Sequence, residues 1–199
     1  MNTKNVTFRI LLALIFFSSI AVTPVYARHN EVQLFEGEIR GGITSPLEEY
    51  HNGKARISGS FGIEGRFNFK NQPWDCGISL DFSTARRSYE RFSEDGHWLW
   101  QNNRTLAISA LSDYNFRQGN KINPFIGATF GVAINDVVGD NVFPSSGISV
   151  IFAPRVGVEL IHHFRVMAQF NLCRKGYNNF SFTLGFVFGG RPKFHSYPN

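Results

Sequence analysis

Apolar and polar residues alternate with period two through most of this chain. The pattern is clearest in Phe180 to Gly190, FSFTLGFVFGG, where every second residue is Phe or Leu. The residues between them are small or weakly polar, apart from one valine. Side chains on a β-strand point alternately to opposite faces. The alternation therefore predicts a strand with one bulky apolar face and one face of small residues.

Eight segments carry this alternation, and turn-forming residues separate them. They are Val32 to Thr44, Arg56 to Lys70, Asp75 to Ala85, Thr105 to Phe116, Ile122 to Asn135, Ser149 to Leu160, Phe164 to Cys173 and Phe180 to Gly190. The fourth segment is irregular, because Leu111 and Ser112 fall on the wrong faces for a strict alternation. The series predicts an all-β domain, an eight-stranded antiparallel up-and-down β-barrel.

The connections between these segments alternate in length. Long connections at 45–55, 86–104 and 136–147 and a compact one at 175–179 take turns with short ones at 71–74, 117–121 and 161–163. Short turns at one end and longer loops at the other are typical of bacterial outer-membrane barrels. The pattern predicts a transmembrane barrel whose short turns face the periplasm and whose long loops face outward.

A soluble, lipocalin-like barrel that binds an apolar ligand is the remote alternative. In such a barrel the polar face meets water and is normally dense in charged residues. Here that face is rich in Gly, Ser and Asn with isolated charges, which suits a narrow polar lumen. Aromatic residues also gather near both ends of the segments, as interfacial girdles would. The girdle candidates are Phe69, Trp74, Phe116, Phe164 and Phe188 at the short-turn end, and Tyr89, Phe92, Trp98, Trp100, Tyr177 and Phe180 at the long-loop end.

The N-terminus predicts export. Lys4 and Arg9 precede an apolar run, Ile10 to Val22, and Val25-Tyr26-Ala27 offers the small residues of a signal peptidase site. An apolar run of this length is short of the ~20 residues of a spanning helix. We expect a cleaved signal peptide at 1–27, an outer-membrane β-barrel at 28–190 and a short periplasmic C-terminal tail at 191–199.

Composition narrows the function classes. The chain is 43% hydrophobic, with 21 Phe and 19 Gly, which suits strands with large outward and small inward side chains. The formal net charge of +5 includes Lys4 and Arg9, and the remaining charges are scattered, which argues against a nucleic-acid partner. The predicted topology places Cys76 and Cys173 at opposite ends of the barrel, so we expect two free thiols.

Three stretches carry a family resemblance: NPFIGATFGVA (Asn123 to Ala133), APRVGVEL (Ala153 to Leu160) and NNFSFTLGFVFGGR (Asn178 to Arg191). They resemble the outer-membrane β-barrel proteins of Bacteroides-type bacteria, which are similar in architecture to OmpA and OmpX barrels. The resemblance covers nearly all of the chain after residue 27. It implies a barrel in the cell outer membrane, with outer-membrane lipid, lipopolysaccharide and the barrel-assembly machinery as partners. Most members of that family have no established activity.

Charged residues occur at positions that alternation turns toward the lumen. Glu159 lies directly opposite Arg165 if 161–163 closes a symmetric hairpin, and Arg66 is then a diagonal neighbour of Asp81 across the turn at 71–74. An eight-stranded barrel leaves room for side chains and little more. We therefore expect a charge network that fills the lumen. Its members are Glu36, Glu38, Arg40, Glu64, Arg66, Asp81, Asp113, Arg155, Glu159 and Arg165.

No enzymatic constellation is apparent in the sequence. A lipid A deacylase needs His and Ser two residues apart on one strand, and none of the six His residues has such a Ser. The His162-His163 pair lies in a predicted turn, which favours exposure to the periplasm over metal binding. We expect no catalytic site, no cofactor and no metal.

The segment YERFSEDGHWLWQNN, 89–103, is the most unusual part of the predicted loops. Tyr89, Trp98 and Trp100 are residues that a contact with a surface protein or a glycan would use. They would equally well extend the girdle or cap the barrel mouth. We expect a structural or surface-interaction protein with the barrel as anchor, and the alternative is a narrow channel or side-exit transporter for small apolar compounds.

Overall fold

The computed structural model describes residues 32–48, 53–70, 72–92, 98–140 and 145–189, with side chains throughout except at 90–92 and 98. The described part of the chain is almost entirely β-strand. The strands are β1 Phe35–Pro46, β2 Lys54–Arg56, β3 Ser58–Asn68, β4 Trp74–Phe92, β5 Trp98–Asn115, β6 Ile122–Gly139, β7 Ser146–Leu160, β8 Phe164–Asn171 and β9 Asn179–Gly189. The described residues include no helix long and apolar enough to cross a membrane. The predicted signal peptide and the tail at 191–199 lie outside the described residues.

The nine strands form a closed antiparallel barrel with eight strand positions. β2 and β3 together occupy one position, and the strand is interrupted at Ile57 because the register against β4 shifts between Arg56↔Arg86 and Ser60↔Ser83. The other strands pair with their neighbours in chain order, and β1 closes the barrel by pairing with β9. The predicted eight-stranded antiparallel barrel is confirmed.

The distribution of apolar and polar residues in the barrel is the reverse of that in a water-soluble domain. Its outer wall is apolar, and Phe35, Ile78, Phe130, Ile148 and Leu184 are each more than half exposed. Its interior is largely polar, and its buried apolar residues include several alanines. A contiguous apolar surface that encircles a protein is stable against hydrocarbon and not against water. The pairing of β1 with β9 also closes the sheet on itself, which removes the free sheet edge that lipid does not tolerate.

Two strands are longer than the sequence predicted. β4 continues to Phe92 and β5 begins at Trp98, so most of the predicted long loop at 86–104 is a β-hairpin. Backbone pairing continues through Ser88↔Trp100 and Tyr89↔Leu99. The outward face of this part lies beyond the apolar wall, and its inward face is polar, with Arg87 and Asn103 buried, so the apolar alternation that marks a strand in the membrane is absent there. The hairpin extends beyond the shorter strands β8 and β9, which have 8 and 11 residues.

The irregular fourth segment does not contain a bulge. β5 alternates without a register shift from Leu99 to Asn115, which places Leu111 in the lumen and Ser112 on the outer wall. Leu111 is buried there. The Ser112 hydroxyl donates a hydrogen bond to the backbone oxygen of Asp75 (2.9 Å), which satisfies its polar group in an apolar wall.

The predicted aromatic girdle is present at the short-turn end and is only partly present at the long-loop end. Phe69, Trp74, Phe116, Phe164 and Phe188 all lie exposed on the outer wall at that end. At the long-loop end the prediction is wrong for two residues. Tyr177 is buried in the barrel mouth, and Tyr89 points inward, where its hydroxyl donates to Gln101 (2.9 Å).

The β7–β8 turn has an unusual backbone. Ile161 and His162 both have positive φ, 55° and 61°. His162 and His163 lie in this turn as predicted and are both half-buried, and the ring of His163 stacks on Phe186 with centroids 5.6 Å apart. Cys76 and Cys173 are both free thiols, as predicted.

Candidate functional site

The lumen holds a buried ionic network, and Arg155 on β7 is at its centre. Its Nε and Nη2 donate to the two carboxylate oxygens of Asp113, at 2.8 and 2.7 Å, and its Nη1 donates to Glu64 at 2.8 Å. All three side chains are shielded from solvent. A two-pronged guanidinium–carboxylate contact is the strongest geometry available to such a pair. The contact joins β7 to β5 and β3 across the lumen.

Arg165 on β8 contacts the same carboxylates from another side. Its Nη2 donates to Asp113 at 2.7 Å, and its Nη1 lies 3.3 Å from Glu64 and 3.5 Å from Glu38. Its guanidinium carbon lies 3.6 Å from the ring centroid of Phe125, a cation–π contact. Arg165 is thus held by three carboxylates and one aromatic face.

The remaining arginines complete the network on the β1–β3–β4 side. Arg40 hydrogen bonds to Glu64 and to Asp81. Arg66 lies 3.3 Å from Glu36 and 3.4 Å from Glu38. Nine of the ten residues predicted to line the lumen therefore meet in this cluster.

Glu159 is the exception. It lies directly opposite Arg165 in the β7–β8 register, as predicted, but among the described residues its carboxylate forms no ion pair. The predicted diagonal contact of Arg66 with Asp81 is also wrong, because β3 and β4 pair with Arg66 opposite Gly77 and Asp81 opposite Gly62. Arg66 instead lies near Glu36, directly opposite it on the adjacent strand β1. Arg165 is long enough to cross the narrow lumen, so its partners Asp113 and Glu64 lie on strands that are not its neighbours.

Inward-facing glycines make room for these long side chains. A Cβ on Gly127 would lie 2.0 Å from the Asp113 carboxylate, and one on Gly185 would lie 2.3 Å from the Glu38 carboxylate. At Gly62 the same atom would lie 2.3 Å from Asp81. The glycine-rich polar face of the sequence is thus the space that the charged network occupies.

An amide layer lies on the short-turn side of the network, and the sequence analysis did not identify it. Asn68 donates to Glu36 (2.8 Å) and accepts from Gln118 (3.1 Å). Asn115 donates to Asp75 (2.8 Å) and accepts from Asn123 (2.9 Å). All of these side chains are buried. Alternation would have placed Asp75 and Asn123 inward, but their partners lie on other strands.

The long-loop mouth is closed by a second group that the sequence analysis missed. Arg87 on β4 donates to the backbone oxygens of Gly176 (2.8 Å) and Glu48 (3.1 Å). Asn103 also donates to Gly176 (2.7 Å), and the Glu48 carboxylate accepts from the Gly176 amide. The first and last connections at the long-loop end are therefore tied to each other and to the wall. Arg87 falls within the predicted loop 86–104, which hid its inward position.

Little free space remains between these layers. A cavity lined by Arg40, Asp81, Gln169 and Thr183 has a volume of about 10 Å³, which fits one water molecule. In the described part of the chain, no group of three or more His, Cys, Asp or Glu side chains could hold a metal ion.

The predicted surface-contact residues do not form a single patch. Trp100 lies half-buried on the outer wall of β5, where the guanidinium of Arg86 stands 5.7 Å from its ring centroid. Tyr89 points the opposite way, toward Gln101. The side chain of Trp98 lies outside the described part of the structure.

Comparisons with known proteins place the fold. No protein-family model matches the chain, and no curated protein matches its sequence. The solved structure of neisserial surface protein A (NspA) matches with a TM-score of 0.51 at 12% identity, over 78% of this chain and 97% of that one. The attachment invasion locus protein Ail of Yersinia pestis, in complex with the heparin analogue sucrose octasulfate, matches at 0.47 and 16%, over 78% of this chain and 100% of that one. The N-terminal barrel of Pseudomonas aeruginosa OprF matches at 0.44 and 10%, over 79% and 100%. The NspA match supports the barrel fold and carries no residue-level correspondence.

Proposed function

We propose that this chain is an integral outer-membrane protein in which the barrel is an anchor and the long-loop end is a binding surface for a protein or glycan. The sealed lumen is the observation that carries the proposal. Four arginines are held by carboxylates at its centre, an amide layer covers one side, and the Arg87 group closes the other. A barrel filled in this way has no path for a solute, so its function is assigned to its surface.

The β4–β5 hairpin is the surface that we assign to binding. Its strands continue past the end of the apolar wall, and its tip carries Tyr, Phe and Trp among charged residues. A paired hairpin is a more rigid platform than an open loop of the same length, so less conformational entropy opposes binding.

The apolar outer wall of the barrel indicates the location of the protein. An apolar band around a closed barrel requires a lipid environment, and the predicted signal peptide supplies a route to the cell envelope. Outer-membrane lipid and lipopolysaccharide are then contacts of the barrel, and the barrel-assembly machinery inserts it.

Unheated protein should migrate differently from boiled protein on a gel, because a closed sheet resists detergent. Identical migration and recovery in a soluble fraction would contradict the location.

The binding role is tested by shortening the hairpin. Replacing residues 90–98 by a two-residue Asn-Gly turn should leave the heat-dependent gel shift intact, because Ser88 and Tyr89 still pair with Trp100 and Leu99. Whole cells carrying this variant should lose binding to host-cell surfaces or extracellular matrix. A matched truncation at 141–144, between β6 and β7, is the control. Equal binding by the wild type and the hairpin variant would contradict the assignment.

One observation favours the alternative of a side-exit route for small apolar compounds. β8 is shorter than β7, so among the described residues Ser146 to Ile151 have no strand partner on that side. Ala107, Ala133 and Ile151 form a small apolar cluster inside the barrel at this level, with Cys173 against it. Uptake of a small apolar dye by cells that is abolished in Ile151→Trp would favour transport over anchoring.

A further inference from the structure

Two arginines face each other on the outer wall of the barrel. Arg56 on β2 and Arg86 on β4 are directly opposite in register, and both are exposed. They share the outward face with Phe82, since residues two apart on a strand lie on the same side. Arg104 on β5 lies on the same face and is half-buried.

These arginines lie just beyond the apolar wall. Phe82 and Leu106 are directly opposite each other and are exposed in the last apolar row on these strands. Arg104 is two residues beyond Leu106, and Arg86 is four residues beyond Phe82. At about 3.3 Å per residue, they stand roughly 7 and 13 Å along the strands from that row. In the proposed location, this level lies beyond the last apolar row, where the lipid headgroups are expected.

The arrangement is unfavourable without an anion. Like charges directly opposite on neighbouring strands destabilise a sheet. Neither Arg56 nor Arg86 forms an ion pair with a carboxylate of the described residues. Arg56 donates from Nε to the Ser88 hydroxyl (2.8 Å), and Arg86 stands over the ring of Trp100. Both contacts fix the guanidinium groups without neutralising them.

The carboxylate nearest in register is Asp136 on β6, which is directly opposite Arg104. It forms no ion pair with a described residue, and one carboxylate does not balance three guanidinium groups. The cluster of Arg56, Arg86 and Arg104 therefore carries excess positive charge at the headgroup level.

We propose that the cluster of Arg56, Arg86 and Arg104 binds the phosphate groups of lipid A in the outer leaflet. Guanidinium forks match phosphate oxygens in pairs, and Arg is the side chain best suited to such recognition. Trp100 adds an amphipathic ring of the kind that settles at a membrane interface. The proposal rests on the proposed location, with the long loops outward.

The test measures lipid binding to purified barrel in neutral detergent by native mass spectrometry. The probes are phosphorylated lipid A and the same lipid A after phosphatase treatment. The wild type should prefer the phosphorylated form. The double variant Arg56→Gln/Arg86→Gln should bind it roughly 30-fold more weakly, from about fivefold for each basic side chain near an anionic headgroup.

Two controls keep the outcome unambiguous. Arg117→Gln/Lys121→Gln removes two exposed basic residues at the short-turn end and should bind as the wild type does. Arg56→Lys/Arg86→Lys keeps the charge but loses the guanidinium forks, and its affinity should fall between those of the wild type and the double Gln variant. The proposal is overturned if a folded double Gln variant binds phosphorylated lipid A as tightly as the wild type, or if the Arg117/Lys121 variant loses as much.

The assay also separates this proposal from the proposed function. Binding to purified barrel does not depend on orientation in the cell or on the hairpin tip. A shortened hairpin that leaves host-surface binding by cells unchanged would overturn the binding role and leave the lipid A affinities unchanged.

Discussion

At the residue scale, charged side chains stabilise the lumen, and the contribution of each to the stability of the barrel depends on its ion-pair partners. Glu64 lies within ion-pair distance of Arg40, Arg66, Arg155 and Arg165. Glu159 is equally well buried, but among the described residues it forms no ion pair. Burial alone therefore does not predict which carboxylate matters. Loss of one partner from a buried pair is costly because the other charge is stranded.

We predict that Glu64→Gln lowers the free energy of unfolding by about 3 kcal/mol, near the lower end of the range for broken buried pairs. The lower end applies because Arg155 keeps Asp113 and Arg40 keeps Asp81. Glu159→Gln is the matched control and should cost less than about 1 kcal/mol, since it removes an unpaired charge. Urea unfolding in detergent measures both. Equal losses would show that the network is not what stabilises the barrel.

Glycine supplies the second prediction at this scale. Gly127→Ala should destabilise the barrel by roughly 1–3 kcal/mol, because its Cβ would displace the Asp113 carboxylate from Arg155. Gly65→Ala on the lipid face is the control, since nothing lies within 4 Å of the added carbon. The ratio of folded to unfolded bands against urea concentration measures the difference. A Gly65 variant as unstable as the Gly127 variant would contradict this account.

The sequence predicted correctly which face of its strand each charged residue occupies. It did not predict several of the ion-pair partners. Alternation turned Arg165 and Glu159 inward correctly, because period two is imposed by the lipid on one face and the lumen on the other. It paired them wrongly, because the partners of Arg165 are set by strand tilt and by side-chain length. Asp113 is 52 residues away in sequence and lies on a different wall. Neither quantity can be obtained from the spacing of one hairpin.

At the scale of elements, strand positions were predictable inside the membrane and strand ends were not. β6 and β9 follow the predicted alternation throughout, since every second residue meets lipid. β4 and β5 continue well past the predicted ends at Ala85 and Thr105. Beyond the apolar wall the outward face no longer meets hydrocarbon and the inward face is polar, as at Arg87 and Asn103, so backbone pairing persists while the sequence signal disappears.

The β7–β8 turn gives a prediction at this scale. Ile161 and His162 have the positive φ values of a type I′ turn, which a β-branched residue adopts only with strain. Replacing the pair by Asn-Gly should stabilise the barrel by roughly 1–2 kcal/mol, the cost of the left-handed conformation for an ordinary residue. Ile161→Val keeps the branching and should give no gain. Thermal unfolding in detergent micelles distinguishes the two, and an unchanged midpoint for Asn-Gly would show that the turn stores no strain.

At the scale of the whole molecule, three layers fill the barrel from one end to the other. The amide layer of Asn68 and Gln118, the ionic network around Arg155 and the closed mouth at Arg87 each join different strands. Because the layers are in series, opening one does not open the barrel. This distinguishes an anchor from a gated pore, in which one movable element controls passage.

The final prediction uses that arrangement. Wild-type protein in planar bilayers should show no large, steady conductance. Arg87→Ala removes two hydrogen bonds to the connections that close the mouth, and it should still not conduct, because the ionic network beneath it remains. Steady ion conduction by the wild type would overturn the anchor proposal. Conduction by Arg87→Ala alone would show that the mouth is the only barrier and that the barrel is a gated channel.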